Sequence, residues 1–211
     1  CKKKNIVAEL TKIPPFLDIT KLNIKIFDEL HKVSKTCALL IKSNENQVFF
    51  NKKTRYIINK AARELIYRKA NKSDLKVIHD LYISSMVNLN ADKRFYLDLK
   101  AFKFLLEEAK STFHLAFYEE QLIGFVCFLF DEKISHYHIS ANNIQGRYFN
   151  ANYLLLSKAI EESILRGIEM VHFGGGLTSK EDDPLFRFKK KFSNFLLDYN
   201  LGLSIYNKEI F

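Results

Sequence analysis

Three neighbouring stretches leave this chain little conformational freedom. Thr112 to Tyr118, Gln121 to Phe130 and Ile134 to Ser140 are dense in aromatic and β-branched residues. Only Glu119-Glu120 and Asp131-Glu132-Lys133 separate them. Links that short close hairpins and nothing else, so the three stretches predict an antiparallel meander.

The flanks alternate in period. Leu65 to Ala70 reads as a strand. A helix begins at Ser73, with Asp74 in its first turn and Leu75, Ile78, Leu81, Tyr82 and Met86 at helical spacing. A second helix spans Leu97 to Lys110 and turns Phe102, Leu105 and Leu106 inward. After the meander, the polar stretch Ala141 to Asn150 reads as a loop. It leads into an amphipathic helix from Ala151 to Arg166, with Leu154, Leu155, Ala159 and Ile160 on its apolar face and Gly167 as its stop. Ile168 to Phe173 is a strand that ends in Gly174-Gly175-Gly176. Pro184 opens a short helix through Lys191. Two last strands are expected to pair around Asn200-Leu201-Gly202.

Upstream, Asn5 to Leu10 reads as a strand, broken off by Pro14-Pro15. Lys52 to Glu64 reads as a basic helix with Tyr56, Ile57, Ala61 and Ala62 on one face. From Leu65 the order is β-α-α-β-β-β-α-β-α-β-β. That is the order of the GNAT acyltransferase fold, an α/β class with a mixed, mostly antiparallel sheet flanked by helices. We therefore expect a GNAT-fold domain over residues 65–211. Residues 1–64 would be a partial N-terminal segment, the tail of a first lobe plus the basic linker helix.

The formal net charge of +9 favours anionic partners: nucleotide pyrophosphates, tRNA, nucleotide-sugars or phospholipid headgroups. Hydrophobic residues at 47% rule out a disordered chain. Cys1, Cys37 and Cys127 form no CxxC pair and have no histidine at zinc spacing, so no metal is expected. No apolar run approaches the roughly 20 residues that cross a bilayer. A first residue of Cys is compatible with a lipid-bearing mature terminus, but the residues after it read as the interior of a longer chain.

Two places could carry chemistry. In the GNAT plan the loop before the long helix offers backbone N–H groups to a pyrophosphate, helped by the helix dipole. The usual signature there is Arg/Gln-x-x-Gly-x-Gly/Ala. Here Gln145-Gly146 precede Arg147-Tyr148-Phe149-Asn150-Ala151-Asn152, so Asn150 and Asn152 replace the glycines. Asn tolerates left-handed backbone, so the turn survives; an ordinary helix start without a ligand is the plainer alternative. The second place is the glycine triplet with Asp182-Asp183-Pro184 and Leu185-Phe186-Arg187-Phe188-Lys189-Lys190-Lys191-Phe192. Three glycines after a strand permit close backbone approach to a ligand or another element. Phe186, Phe188 and Phe192 pack inward, and Asp183 can cap the helix. His136 and His138 share a strand face, and His138 is a candidate base. No Ser-His-Asp or Cys-His arrangement is readable, which argues against a covalent acyl-enzyme.

Several of these motifs together resemble the C-terminal half of the FemAB-like (FemX-like) transferases. They are His136-Tyr137-His138-Ile139-Ser140, Asn152-Tyr153-Leu154-Leu155-Leu156, Val171-His172-Phe173-Gly174-Gly175-Gly176, and Asp183-Pro184-Leu185-Phe186-Arg187-Phe188-Lys189. Lys52 to Ala61 resembles the basic helix that precedes that half. The resemblance covers roughly residues 45 to 211. It implies transfer of an amino acid or acyl group to an amine of a cell-envelope precursor, on a peptidoglycan peptide or a glycan. The donor would be aminoacyl-tRNA or acetyl-CoA/acyl-CoA, with no tightly bound cofactor. The place of action would be cytoplasmic, at the inner face of the membrane, with peripheral contact if the acceptor is lipid-linked. Lys189 would handle the donor or stabilise the transfer. Gln145, Gly146, Arg147, Asn150, Asn152 and Phe188 would hold the donor. Arg55, Tyr82, Tyr96, Asp183, Gly174 and Gly175 would face the acceptor. Two alternatives stand beside this: a coenzyme A-dependent N-acyltransferase on an amino sugar in polysaccharide biosynthesis, and a degenerate lobe that only binds.

Overall fold

The computed structural model describes residues 6–17, 26–41, 50–207 and 210. Cys1 and Asn5 lie outside the described residues. The chain divides into two compact units, Leu39–Phe173 and a second formed by Cys1–Ala38 with Gly174–Phe211.

In the first unit the strands are β3 (Ile66–Lys69), β4 (Ser111–Tyr118), β5 (Gln121–Phe130), β6 (Ile134–Asn142) and β7 (Met170–Gly174). They lie side by side in the order β3-β4-β5-β6-β7. The expected meander forms, with all pairs antiparallel except β6 with β7. Helices α1 (Lys52–Glu64), α2 (Leu75–Asn88), α3 (Leu99–Glu107), α4 (Ile144–Tyr148) and α5 (Ala151–Leu165) complete the unit. Phe102, Phe113, Phe125, Cys127, Ile78 and Tyr82 form a fully buried cluster where α2 and α3 cover the sheet. Helix α5 packs on β4 and β5, and α1 packs on α5. The buried face of α1 is Thr54, Ile58 and Ala61, not the face expected around Tyr56, which is exposed. Spacings of four and three residues put these three on one stripe, so a buried threonine stands where an apolar residue would have signalled the face.

The second unit contains β1 (Ala8–Ile13), β2 (Glu29–Leu40), α6 (Pro184–Lys190) and β8 (Phe195–Ile205). β8 pairs antiparallel with β1 on one side and β2 on the other. The two strands expected around Asn200-Leu201-Gly202 are one strand of 11 residues. Gly202 serves close packing there rather than a turn: a Cβ at Gly202 would lie 2.4 Å from the Phe27 ring. Strand β2 had no counterpart in the sequence reading.

Candidate functional site

Strands β6 and β7 pair only from Ile134↔Met170 to His136↔His172. Beyond His136, β6 keeps β5 as its neighbour through Asn142. Two parallel strands therefore part after three residue pairs, and β6 leads through a short connection to the start of α5.

The connection is not the open loop expected over 141–150. β6 runs to Asn142, and α4 fills 144–148. Asn143 caps α4 by accepting the Gly146 N–H at 2.8 Å, and its own N–H reaches Ile123 O at 3.0 Å. Gly146 lies flat on β5; a Cβ there would sit 2.2 Å from Ile123 O. Its role is thus to seat α4. Gln145 and Arg147 are exposed on the outer side of that turn. Asn150 adopts the left-handed region, φ 57°, as the replaced glycine would. Its side chain gives no cap hydrogen bond to α5, so the first turn of α5 keeps amide donors that no side-chain cap satisfies. The side-chain oxygen of Asn152 is buried there with no hydrogen-bond partner among the described residues.

His138 is the extra residue of a β-bulge: Ile139 faces Cys127 while Tyr137 faces Phe128. It is exposed, and desolvation by the surrounding protein still lowers its imidazole pKa. The neighbouring His136 and His172 carry rings in contact across β6 and β7. The sequence had set His136 beside His138 but gave no sign of its pairing with His172.

In the other unit, the glycine triplet and α6 are bound together by one carboxylate. Asp183 Oδ1 accepts the Phe186 N–H at 2.9 Å, and Oδ2 accepts the amides of Leu177 at 3.1 Å and Thr178 at 3.0 Å. These backbone bonds, with Phe186 foremost, hold its pKa below the usual carboxylate range. Asp183, placed at the acceptor by the sequence reading, is buried and spends both oxygens on the loop. Gly176 makes room for it, since a Cβ would lie 2.5 Å from Asp183 Oδ1. Gly174 is left-handed, φ 77°. Lys189 reaches back from α6 and donates to Gly175 O at 2.7 Å. Burial brings the Lys189 ammonium down to about 8, with the Cys37 and Asp183 side chains opposing the shift. Phe188 is half-buried and packs edge-on against Phe192, ring centroids 5.4 Å apart.

A pocket of about 260 Å³ opens beside this loop, lined by Lys32, Lys35, Ser34, Thr178 and Lys180. It is less basic than its lining suggests, because Lys32 pairs with Asp198 at 2.7 Å and Lys35 with Glu181 at 3.3 Å.

The expected acceptor-side residues of the first unit are dispersed. Arg55 is exposed on α1. Tyr82 is buried against Phe102, and its hydroxyl donates to Phe95 O. Tyr96 is partly exposed at the end of the turn after α2. Among the described residues, no group of three or more His, Cys, Asp or Glu side chains is placed to hold a metal ion. No helix among them is long and apolar enough to cross a membrane.

The sequence matches no protein-family model and no curated protein. Solved structures do match. FemX superposes with a TM-score of 0.66 at 13% identity, covering 83% of this chain and 62% of FemX. The C-terminal domain of a protein assigned as a lysylphosphatidylglycerol synthetase, from Agrobacterium fabrum, gives 0.63 at 15% identity, covering 83% and 61%. An aminoglycoside acetyltransferase from an uncultured soil metagenomic sample gives 0.51 at 16%, covering 62% and 91%. The chain thus spans about three fifths of the first two structures. Together with the parting of β6 and β7 and the strand order around them, these likenesses identify the fold: the chain has the FemX-like form of the GNAT acyltransferase fold.

Proposed function

We propose that the chain is an acyltransferase of the aminoacyl-transferring kind, moving an amino acid or acyl group from an activated ester onto an amine of a cell-envelope precursor. The observation that carries the reading is the parting of β6 and β7 beneath the uncapped N-terminus of α5. A carbonyl laid along the unpaired edge of β6 near Ile139 to Ala141 would meet backbone N–H groups. Such groups stabilise the oxyanion that forms when an amine attacks. The C–N bond forms, the donor C–O or C–S bond breaks, and the amine releases a proton. The name of the synthetase whose domain shares this fold supports an aminoacylated envelope molecule as product.

Aminoacyl-tRNA is the favoured donor. Helix α4 occupies the connection where a glycine-rich pyrophosphate loop would run, and it presents Arg147 outward. The second reading, a coenzyme A-dependent N-acyltransferase on an amino sugar, rests on Asn150, which holds the left-handed turn that loop needs.

A titration of the chain with acetyl-coenzyme A and with a charged tRNA, each at two salt concentrations, decides between them. Saturable tRNA binding that weakens at high salt and in Lys189→Ala is the expected result. Coenzyme A binding lost in Arg147→Ala, without tRNA binding, would favour the second reading. Binding of neither donor would remove the transferase reading.

A further inference from the structure

The pocket beside the loop after β7 owes its charge to a break in β2. Lys32 and Lys35 are three residues apart, so in a regular strand they would face opposite sides of the sheet. β2 carries a bulge instead. Lys32 faces Asn200 and Ser34 faces Tyr199, which leaves Val33 as the extra residue. Lys35 then faces Asp198, two residues from Asn200, and the two lysines share one side. Both line the pocket, and Lys180 joins them from the loop.

The loop wall is fixed by its own hydrogen bonds. The Leu177 and Thr178 amides are held by Asp183, the Lys180 N–H reaches Thr178 Oγ1 at 3.4 Å, and the Asp183 N–H reaches Lys180 O at 3.3 Å. Phe186, 4% exposed, adds an apolar wall. The Lys180 ammonium and the Ser179 hydroxyl have no partner among the described residues. Lys35 is held only loosely: its partner Glu181 lies 3.3 Å away and is 78% exposed. Such a pair is worth at most about 1 kcal/mol. An anion of higher charge can therefore take Lys35 from Glu181, and Lys180 has no carboxylate to release.

We propose that this pocket binds a phosphate monoester on a short polar carbon body. Lys35 and Lys180 meet the phosphate, and the Ser179 hydroxyl meets a hydroxyl of the body. A monoester carries about 1.5 to 2 negative charges at pH 7, which two ammonium groups match; a diester or a carboxylate brings only one. The volume of about 260 Å³ lies just under the roughly 300 Å³ at which small-molecule sites begin, so the body is small. Glu181 occupies Lys35 when the pocket is empty and yields it when the phosphate enters. The site does not rest on the transferase reading and stands whether or not the chain transfers acyl groups.

Calorimetric titration of the intact chain with ribose 5-phosphate, inorganic phosphate, ribose and dimethyl phosphate tests this. Ribose 5-phosphate should bind saturably and more tightly than inorganic phosphate, while ribose and the diester should not bind. Lys35→Gln and Lys180→Gln should each weaken binding about tenfold. Lys12→Gln removes the same charge from β1, outside the pocket, and should leave binding unchanged. Glu181→Gln should tighten binding about threefold, and that gain should disappear when Lys35 is also Gln. No saturable binding of ribose 5-phosphate or of inorganic phosphate would overturn the proposal. Binding of dimethyl phosphate as tight as that of the monoester would overturn the ligand class. Equal losses in Lys12→Gln and Lys180→Gln would reduce the effect to net charge and overturn the site. A gain in Glu181→Gln that survives without Lys35 would overturn the exchange of Glu181 for the phosphate.

Discussion

Glu162 shows how much a single buried carboxylate can organise. Its Oε1 meets Lys69 Nζ at 3.0 Å, Arg166 Nε at 2.9 Å and Thr112 Oγ1 at 3.2 Å. Its Oε2 lies 3.3 Å from Nε2 of the fully buried His114, whose Nδ1 is 2.9 Å from the Tyr67 hydroxyl. Burial drives the His114 imidazole down to about 4, against the Glu162 charge and with a smaller push from Lys69 and Arg166. The unfolded chain titrates this histidine near 6.5. Between pH 6.5 and 4 the unfolded state therefore binds more protons, so stability rises with pH across that window and is lost as pH falls through it. The full shift corresponds to about 3 kcal/mol. Glu162 acts in the same direction. Burial pushes its pKa up, but the Arg166 and Lys69 hydrogen bonds outweigh that and leave it lowered, so its contribution is also lost on acidification. His114→Gln should therefore narrow the gap between urea-unfolding free energies at pH 4.5 and pH 7.5 by about 2 kcal/mol. An unchanged gap would show that His114 titrates in the folded protein as it does in the unfolded chain. Nothing local in the sequence marks this pair, because Glu162 lies on α5 and His114 on β4. Of the loop after β7, the cap that Asp183 gives α6 was legible, and so was the close approach that the glycine triplet allows, which at Gly176 is the approach of the Asp183 carboxylate.

The ends of α5 were legible for the same reason. Gly167, expected as the stop, takes φ 72°, and the N–H of Ile168 closes on Ser163 O at 3.0 Å. This is the hydrogen-bond pattern of a glycine-terminated helix. At the other end Asn150 carries the left-handed turn. Asn150→Gly should leave thermal stability within about 0.5 kcal/mol, whereas Asn150→Val should cost about 1–2 kcal/mol, since a β-branched residue is strained there. Paired thermal melts check both values. Donor binding lost in Asn150→Gly would reveal a direct contact of the Asn side chain rather than a backbone role. What could not be read was α4. Ile144, Gln145 and Tyr148 are exposed, so no apolar stripe announces a helix. The turn exists because Asn143 caps it and Gly146 fits against β5. β2 escaped notice for a related reason: its first five residues are exposed, and only Cys37, Ala38 and Leu39 at its far end are core. Strand period is weak where one end is solvated and the other fully buried.

At the scale of the molecule, one unit is continuous in sequence and the other is closed by strands from both ends of the chain. β8 is what closes it, because β1 and β2 each pair with β8. The sequence reading split β8 in two at Asn200-Leu201-Gly202, taking Gly202 for a turn residue. A glycine signals a turn and a crowded strand position equally, and only the Phe27 ring over Gly202 separates the two. That distinction has a measurable consequence. In Gly202→Val the new side chain must displace the Phe27 ring, at a cost of about 1–3 kcal/mol. Gly202 faces Thr11 of β1 and Leu30 of β2, so the strain falls on both ladders at once. Amide hydrogen exchange should therefore quicken together in β1, β2 and β8, while β4 and β5, centred on the Phe113–Phe125 cluster, keep their protection. Faster exchange in β8 and β1 alone would mean that β2 has support other than β8. Equal loss in β4 and β5 would mean that the two units unfold as one.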